Sequence, residues 1–391
     1  MLSVLIQKGH GSEALDEIQT EWKELFALSD ASPFMRWEWM SVWFENFAKD
    51  RTQFILKAYR DGTLIGILPL FFEKKGVFGL RVESLCNFGT GPGGADHLDI
   101  ITRPEDKSDG IKAVLKFLSD SHYCDQISLE NLPAGSATAE LLKTFDQTTS
   151  GSLSRVTESV TAVCPQIDLS EGWDSVLNES KRSDNFKRRL RKLEKMAGFE
   201  YRSIISPDET ASALDRFVIL HQKRWENAGG SELSGHPRLI AFQRQIVAEM
   251  SFAGAIRFDE LWLEGRCVSS VYGLDDGKTF YYFNSGYDLD YSNLSVGLVL
   301  LGLSVKHAVD RGCKLYDFLR GDEQYKFDWT NRRTNLTTVR LSRNTLPLVA
   351  YELVGRSVES LRQLSKSALP SSTSEILGGW RRAWKRNYEI R

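Results

Sequence analysis

Hydrophobic and polar positions along the chain predict one order of elements that occurs twice. In the first copy, alternating positions flank the turn signal Asp61-Gly62 and predict a hairpin, which a strand, a helix and a strand follow. The elements of the first copy lie at 53–59, 64–72, 81–88, 107–119 and 126–129. Those of the second copy lie at 257–263, 267–273, 279–284, 298–310 and 314–318. We therefore predict two similar α/β units with mixed sheets, because a strand-helix-strand unit needs a crossover to a parallel neighbour.

Segment 133–165 separates the two copies and is rich in Ser, Thr, Ala and Gly. Such a composition between periodic segments is typical of a boundary. We therefore predict a first domain at 1–150, a second at 151–345, and a helical tail with basic and aromatic residues at 346–391. The length of 391 residues is also that of two domains of ordinary size.

The composition is that of a globular protein with balanced charge. There are 50 Lys and Arg residues against 52 Asp and Glu residues, for a net charge of −2, and 41% of the residues are hydrophobic. These values exclude a disordered chain and a uniformly basic nucleic-acid-binding protein. The five cysteines form no C-x-x-C pair, so we expect reduced thiols, no disulfide framework and no metal site.

The sequence has neither the pattern of a signal peptide nor that of a membrane span. The N-terminus has no cationic stretch before a long apolar run, and the longest uncharged stretch, 291–305, is shorter than the ~20 residues that cross a bilayer. We therefore expect a cytoplasmic protein. In the tail, Trp380 and Trp384 lie beside four cations. They predict either peripheral contact with the inner face of the membrane or a helix that packs its tryptophans on the protein.

Cations are concentrated at 181–195, where eight residues are Lys or Arg. Phe186, Leu190 and Leu193 follow one another at helical spacing and predict an amphipathic helix with a cationic face. One interpretation is an ordinary solvated helix face. The other is a wall that binds a phosphate-bearing ligand, a nucleotide or RNA, with Arg188 among its residues.

Candidate chemistry is concentrated in the second half of the chain. Ser295 and Gly297 open an apolar helix whose unpaired N–H groups can bind a phosphate; alternatively, Ser295 caps the helix and Gly297 packs it against a strand. Asp317 ends a buried strand and is either a general base or substrate anchor, or a partner of Arg320 or Lys326 in a structural salt bridge.

Two further groups of residues have two interpretations each. Tyr325 is a proton donor or a core residue, and the adjacent Lys326 is an anion contact or a surface charge. His221, Arg224 and Trp225 lie on one helical segment, which either lines an acceptor site or forms the ordinary polar side of a packed helix.

These residues together resemble a known family. The motifs that carry the resemblance are Pro33-Phe34 before Trp37 and Trp39, the basic helix ending at Gly198, Gly286-Tyr287-Asp288, Tyr291, Leu294-Ser295-Val296-Gly297, Tyr316-Asp317-Phe318, Arg320-Gly321-Asp322 and Tyr325-Lys326. As a set they are similar to GNAT-type acetyltransferases of the CelD/BcsL family, over about residues 30–340. That family is associated with cellulose and exopolysaccharide biosynthesis and is related to the FemAB-like aminoacyl transferases. The resemblance implies two GNAT-like folds in tandem: a degenerate first copy at 1–150 and an active second copy at 151–345 that carries the donor site.

The resemblance also implies a donor and an acceptor. The donor would be acetyl-CoA or another acyl-CoA, with no metal, and an amine or hydroxyl of a sugar, polysaccharide or lipid-linked precursor would attack it directly. The residues that would hold the donor pyrophosphate are Leu294, Ser295, Val296 and Gly297. Asn284 and Ser285 would contribute backbone groups to the acyl chain and the thioester.

Catalytic roles follow from the same resemblance. Asp317 would be the base or the acceptor anchor, Tyr325 the acid for the leaving thiolate, and Lys326 the contact for an anionic part of either substrate. The candidate substrate-binding residues are Trp225, Arg320, Asp322 and Arg188.

The donor loop departs from the usual GNAT pattern, which reads Gln or Arg, then x-x-Gly-x-Gly or Ala. Ser292, Ser295 and Gly297 occupy the corresponding positions, so the cationic or amide anchor and one glycine are missing. Two alternatives follow. The basic helix favours a FemAB-like transferase that takes an amino acid from charged tRNA. The missing loop residues favour a non-catalytic partner in exopolysaccharide assembly.

Overall fold

The chain folds into two compact units. The computed structural model describes residues 1–10, 13–77, 80–120, 122–145, 155–226, 233 and 236–353. Unit 1 contains Met1–Val160 and Thr337–Arg391, and unit 2 contains Thr161–Leu336. The roles that the sequence assigns to the two domains, a degenerate first copy and a donor-binding second copy, stay predictions. The tail segment with Trp380 and Trp384 lies outside the described residues.

Unit 1 combines a mainly antiparallel sheet with five helices and a further helical segment at 346–353, where the described part of the chain ends. The helices are α1 (Glu13–Asp16), α2 (Gln19–Ala27), α3 (Trp37–Phe47), α4 (Lys107–Asp120) and α5 (Ala137–Phe145), with 3-10 turns at Pro33–Met35 and Pro104–Asp106. The strands are β1 (Leu2–Gly9), β2 (Gln53–Arg60), β3 (Thr63–Val77), β4 (Leu80–Asn87), β5 (Ile101–Thr102) and β6 (Gln126–Pro133). Two further strands, β7 (Arg155–Asp168) and β13 (Arg333–Ser342), contain the boundaries between the units.

The sheet of unit 1 has the strand order β1-β2-β3-β4-β6-β13, with β5 beside β3. The predicted hairpin is confirmed: β2 and β3 pair antiparallel across Asp61 and Gly62, both of which have the positive φ that a tight hairpin turn requires. β4 and β6 are parallel, and α4 connects them along the chain. The helix buries Ile111, Val114 and Leu118 against the core, as its apolar spacing predicts.

Unit 2 repeats this order of elements. Its helices are α6 (Trp173–Glu179), α7 (Ser183–Leu193), α8 (Pro207–Glu226), α9 (Pro237–Ser251), α10 (Val296–Asp310) and α11 (Gln324–Phe327), with a 3-10 helix at Leu289–Leu294. Its strands, apart from β7, are β8 (Glu200–Ile204), β9 (Ile256–Leu263), β10 (Arg266–Asp275), β11 (Thr279–Tyr287) and β12 (Leu315–Asp317). None of the helices in the described part of the chain has the length and apolar content of a membrane span.

The sheet of unit 2 has the order β7-β12-β11-β10-β9-β8. β9, β10 and β11 form an antiparallel meander, β11 and β12 are parallel, and β12 is antiparallel to β7. The predicted α/β class with mixed sheets is confirmed, because the hairpin, strand, helix and strand of each copy occur where the sequence pattern predicts them.

The predicted basic helix is α7, and it packs against α10. Phe186 and Leu193 are buried among the core residues of unit 2. A Cβ at Gly302 of α10 would lie 2.3 Å from the Phe186 ring, so the two helices meet at a position without a side chain. Full burial of a phenylalanine contributes about 1.5–3 kcal/mol, which holds the apolar side of α7 inward and leaves its cations outward.

Candidate active site

The candidate active site begins where the two parallel strands of unit 2 stop pairing. The last pair in register is Tyr281 of β11 with Asp317, the final residue of β12. β11 continues to Tyr287, and Asn284 and Ser285 lie in this extension. The carboxyl ends of parallel strands are where open α/β sheets place their ligands. Three of the predicted site residues thus lie at one edge of the sheet.

A β-bulge in the meander precedes Asn284 and Ser285. Tyr272 of β10 is opposite Asn284, but the next residue, Gly273, is opposite Tyr282, so Phe283 has no partner in register. A bulge redirects the side chains that follow it. Here the Oδ1 of Asn284 turns back and accepts a hydrogen bond of 2.8 Å from the backbone N–H of Ser285.

The C-terminal part of α8 is hydrogen-bonded to Ser285. The Nη1 of Arg224 donates to the carbonyl oxygen of Ser285 at 3.2 Å and to its Oγ at 2.9 Å. The Nδ1 of His221 lies 3.2 Å from the same carbonyl oxygen, which can only accept, so Nδ1 carries the proton. Burial lowers the pKa of His221, and the nearby charge of Arg224 lowers it further, against the raising effect of the Ser285 bond. The imidazole is therefore neutral at neutral pH.

Gly286 allows α8 to lie directly on β11. A Cβ at this position would be 2.4 Å from the backbone nitrogen of His221 and 2.7 Å from the carbonyl carbon of Leu220. Both are backbone atoms, which cannot rotate away as a side chain can. The glycine thus sets the distance at which His221 and Arg224 reach Ser285.

Two tyrosines extend the hydrogen-bonded group. The Oη of Tyr282 donates to the Oγ of Ser285, and the Oη of Tyr325 lies 3.4 Å from the Oη of Tyr282. The guanidinium of Arg224 lies 5.9 Å from the centre of the Tyr325 ring. Burial raises the pKa of Tyr325 well above its ordinary value, and the adjacent Tyr282 adds to this effect. The Tyr325 phenol is therefore protonated at neutral pH and can donate a proton.

Asp317 is buried, and two donors hold its carboxylate. Its Oδ2 accepts from the Nε2 of Gln166 at 2.7 Å, and its Oδ1 accepts from the backbone N–H of Leu319 at 2.7 Å. Leu319 has a φ of 54°, so the chain turns sharply directly after β12. The structure thus orients the carboxylate at the same edge as Asn284 and Ser285.

The predicted donor loop is a 3-10 helix followed by the N-terminus of α10. Ser295 lies between them with a φ of 59°, and its side chain does not cap α10. The interpretation of Ser295 as a side-chain cap is therefore wrong. A helix N-terminus exposes N–H groups that favour anions. Val296 is fully buried, and a Cβ at Gly297 would lie 3.2 Å from the Tyr287 ring, so the first turn of α10 packs closely on β11.

Lys326 lies on α11 and is almost fully buried. Its Nζ donates to the carbonyl oxygen of Arg320 at 2.8 Å and forms an ion pair of 2.9 Å with Glu323. The proposed salt bridge from Asp317 to Lys326 is thus replaced by bonds within the turn that follows β12. Arg320 and Asp322 are exposed on the same turn. Their roles in substrate binding stay predictions.

Arg188 lies on the exposed face of α7, where its Nη2 donates to the Oδ1 of Asn185 at 3.0 Å. The neighbouring Arg189 donates from Nη1 to the carbonyl oxygen of Asn293, in the donor loop, at 2.9 Å. Trp225 lies near the C-terminal end of α8, and its side chain is outside the described groups. The basic helix is therefore connected to the donor loop through Arg189, and the side chain of Arg188 is exposed.

Sequence reasoning missed Tyr282 and left Arg224 and His221 undecided. Tyr282 reads as a core position of an alternating strand, and it is indeed buried. Only the bulge brings its hydroxyl to Ser285. The sequence did contain a signal for Arg224. His221 and Arg224 are a polar pair at i and i+3 near the end of α8, and a glycine on a strand, here Gly286 on β11, is compatible with close packing of a helix on that strand.

We expect the contribution of Asp288 to stability to depend on pH. Partial burial opposes ionisation, but hydrogen bonds from Lys223 (2.8 Å) and from the backbone N–H of Asp290 (3.1 Å) outweigh it and lower the pKa of Asp288. The stabilisation is complete above the ordinary aspartate pKa of about 3.9 and disappears as the pH falls through the lower folded value. Urea unfolding of Asp288→Asn between pH 2 and 7 should show a deficit of about 1 kcal/mol that shrinks below pH 4. A deficit independent of pH would contradict this account.

One family of known proteins matches the segment that contains the candidate site. Residues 180–327 match the family model of the acetyltransferase (GNAT) domain. This segment includes α7, α8, the bulged β11, the N-terminus of α10, Asp317 and Tyr325. No curated protein sequence matches the chain.

Solved structures share the fold over 86–89% of this chain at low sequence identity. A structure described as FemX has a TM-score of 0.60 and 12% identity, covering 89% of this chain and 99% of that one. L-PGS from Bacillus licheniformis has a TM-score of 0.52 and 11% identity, covering 86% and 96%. The C-terminal domain of a protein described as a lysylphosphatidylglycerol synthetase from Agrobacterium fabrum has a TM-score of 0.51 and 8% identity, covering 88% and 96%. The chain is thus a transferase with a GNAT-type acetyltransferase domain at residues 180–327.

Proposed function

We propose that the protein transfers an acyl group, in the simplest case acetyl, from acyl-CoA to an amine or hydroxyl of a sugar, polysaccharide or cell-envelope precursor. One observation carries the proposal. The segment that matches the acetyltransferase model is the segment in which the ends of β11 and β12, the start of α10 and a half-buried, protonated tyrosine come together. Acyl transfer to an acceptor needs an anion site, a backbone edge, a base and an acid in this arrangement.

In this proposal the donor lies along the extension of β11. The first turn of α10 holds the pyrophosphate, because its N–H groups carry partial positive charge. Backbone groups of Asn284 bind the acyl chain and the thioester, because the N–H of Ser285 donates to the Oδ1 of Asn284 and the carbonyl oxygen of Ser285 accepts from Arg224 and His221. Arg224 and His221, through their bonds to Ser285, keep this part of β11 in place.

In the chemical step, two side chains account for the proton transfers. The acceptor nitrogen or oxygen attacks the thioester carbon, so that a C–N or C–O bond forms and the C–S bond breaks. Asp317 is the base that receives the proton of the acceptor, or the residue that anchors the acceptor. Tyr325 gives its phenolic proton to the leaving thiolate. The high pKa of Tyr325 keeps that proton in place until the thiolate develops.

A polysaccharide or lipid-linked acceptor is part of the proposal. The CelD/BcsL resemblance supports a saccharide. The fold shared with a domain described as a lysylphosphatidylglycerol synthetase supports an acceptor that is linked to a lipid. An acceptor that combines both features is a lipid-linked saccharide precursor.

Binding of CoA should stabilise the protein, and thermal or urea unfolding measures this directly. At a CoA concentration 100-fold above its dissociation constant, the free energy of unfolding should rise by about 2.7 kcal/mol. Pantetheine, which has the thiol but no phosphates, is the matched control and should have a much smaller effect. If neither CoA nor acetyl-CoA stabilises the protein at millimolar concentration, the donor assignment is wrong.

A second candidate function is transfer of an amino acid from charged tRNA to a cell-envelope precursor. The exposed cations of α7 favour it, and so does the fold shared with FemX. Binding of tRNA through phosphate contacts weakens steeply with salt. Retention of tRNA that depends on salt and on the charges of α7, without any stabilisation by CoA, would select this function over the first.

A further inference from the structure

The donor loop carries no cation of its own. Between Asp288 and Gly297 the charged residues are Asp288 and Asp290. Asp288 is paired with Lys223 at 2.8 Å, and Asp290 is exposed. A ligand with several phosphates at the start of α10 would therefore meet a negative loop, so its charge must be balanced by residues from another element.

The basic helix α7 is the element that can supply this charge. It packs on α10 through Phe186 at Gly302, and Arg189 donates from Nη1 to the carbonyl oxygen of Asn293 at 2.9 Å. Arg189 thus defines the side of α7 that faces the donor loop. Among the other cations of α7, those closest to Arg189 around the helix axis are the candidates to reach the loop.

Helical geometry separates the remaining cations into two sides. At 100° per residue, Arg188 is about 100° and Lys192 about 60° from Arg189 around the helix axis, within one turn of it. Lys187 and Arg191 are each about 160° away, on the opposite side. All four side chains are exposed, and Arg188 bonds only to Asn185 among the contacts found in the described part of the chain. Lys192 forms no ion pair with a described residue.

We propose that Arg188 and Lys192 bind the 3′-phosphate of the donor nucleotide, so that the enzyme distinguishes CoA from dephospho-CoA. The inference rests on the proposed function, because it takes CoA as the donor. CoA carries its charge in two places, the pyrophosphate and the 3′-phosphate on the ribose. The start of α10 binds the pyrophosphate, and the side of α7 beside Arg189 binds the 3′-phosphate.

Arginine and lysine suit this task in different ways. Arg188 offers a planar fork that can bind two phosphate oxygens, and Lys192 adds a mobile point charge. Two exposed contacts of this kind to one dianion correspond to about a tenfold preference in affinity, and the preference should decline with salt because the pair is open to solvent.

Calorimetric titration of the full chain with CoA and with dephospho-CoA tests the inference. The wild type should bind CoA about tenfold more tightly than dephospho-CoA at low salt. The double variant Arg188→Gln and Lys192→Gln should bind both compounds equally, at the wild-type affinity for dephospho-CoA. The matched control, Lys187→Gln and Arg191→Gln, removes the same charge from the opposite side of α7 and should keep the tenfold preference.

The outcomes separate this inference from the proposed function. If the wild type binds both compounds with equal affinity, or if the Arg188 and Lys192 variant keeps the preference, the inference is overturned and the acyl-CoA function stands. An equal loss of preference in both double variants would mean that α7 acts only through its total charge, which also overturns the specific assignment. If neither compound binds, the proposed function fails and the inference fails with it.

Discussion

Replacement of Asp317 by asparagine should lower kcat/KM for acyl transfer by about 10²–10⁴, the usual contribution of a positioned general base. The side chain keeps its size, but an amide cannot accept the proton of the acceptor. Its NH2 group would also face the Nε2 of Gln166, which now donates to the carboxylate at 2.7 Å. Steady-state kinetics with acetyl-CoA and a range of amine and sugar acceptors measures the effect.

Gln166→Leu is the control for this experiment, because it keeps the carboxylate and removes the hydrogen bond from the Nε2 of Gln166. If Asp317 is the base, this variant should remain active, and the acidic limb of its pH–rate profile should move to higher pH, since a lost donor disfavours the ionised form. A purely structural Asp317 would instead give two less stable variants with unchanged pH profiles. Loss of turnover in Asp317→Asn would also exclude a non-catalytic assembly partner.

Replacement of Gly286 by alanine should destabilise the protein by about 1–3 kcal/mol, with the site as the first part affected. The new Cβ would lie 2.4 Å from the nitrogen of His221 and 2.9 Å from its Cα. Relief requires α8 to move away from β11, and this stretches the bonds of His221 and Arg224 to Ser285. Urea unfolding measures the loss of stability, and CoA titration measures the loss of donor binding.

Gly66→Ala on β3 is the matched control, because it adds the same methyl group to another strand. Its Cβ would meet the Cβ of Ala58 at 3.4 Å, which is an ordinary contact. This variant should therefore unfold within about 1 kcal/mol of the wild type and bind CoA normally. Equal stability of the Gly286 and Gly66 variants would mean that α8 is not held on β11 as described.

The elements of both units could be predicted from the sequence because each has a strong local pattern. The period-2 alternation of β2 and β3 around Asp61-Gly62, and the apolar spacing of α7, depend only on neighbours in the chain. The candidate active site was partly predictable for the same reason. Asp317 is an acid at the end of a buried strand and Gly297 is a glycine at the start of a helix, and ligands of open α/β sheets bind at such positions.

Other features of the site arise from contacts that sequence patterns do not encode. The sequence indicates that Lys326 is an anion contact or a surface charge, yet its ammonium is buried and bonded to Arg320 and Glu323. Tyr282 reads as core, yet its hydroxyl joins Ser285 and Tyr325. In both cases the direction of the last few atoms of the side chain decides the chemistry, and packing sets that direction.

The sequence by itself determined the repeated order of elements, the mixed α/β class and the cationic helix, because hydrophobic period and turn residues act over a few positions. Only the tertiary structure decided which groups meet. The bulge at Phe283 shifts the register of β11, and Gly286 lets α8 approach its backbone, so Arg224 and His221 from a distant helix reach Ser285. These contacts depend on the register between strands and on the distance between elements, and the hydrophobic pattern of a single segment predicts neither of them.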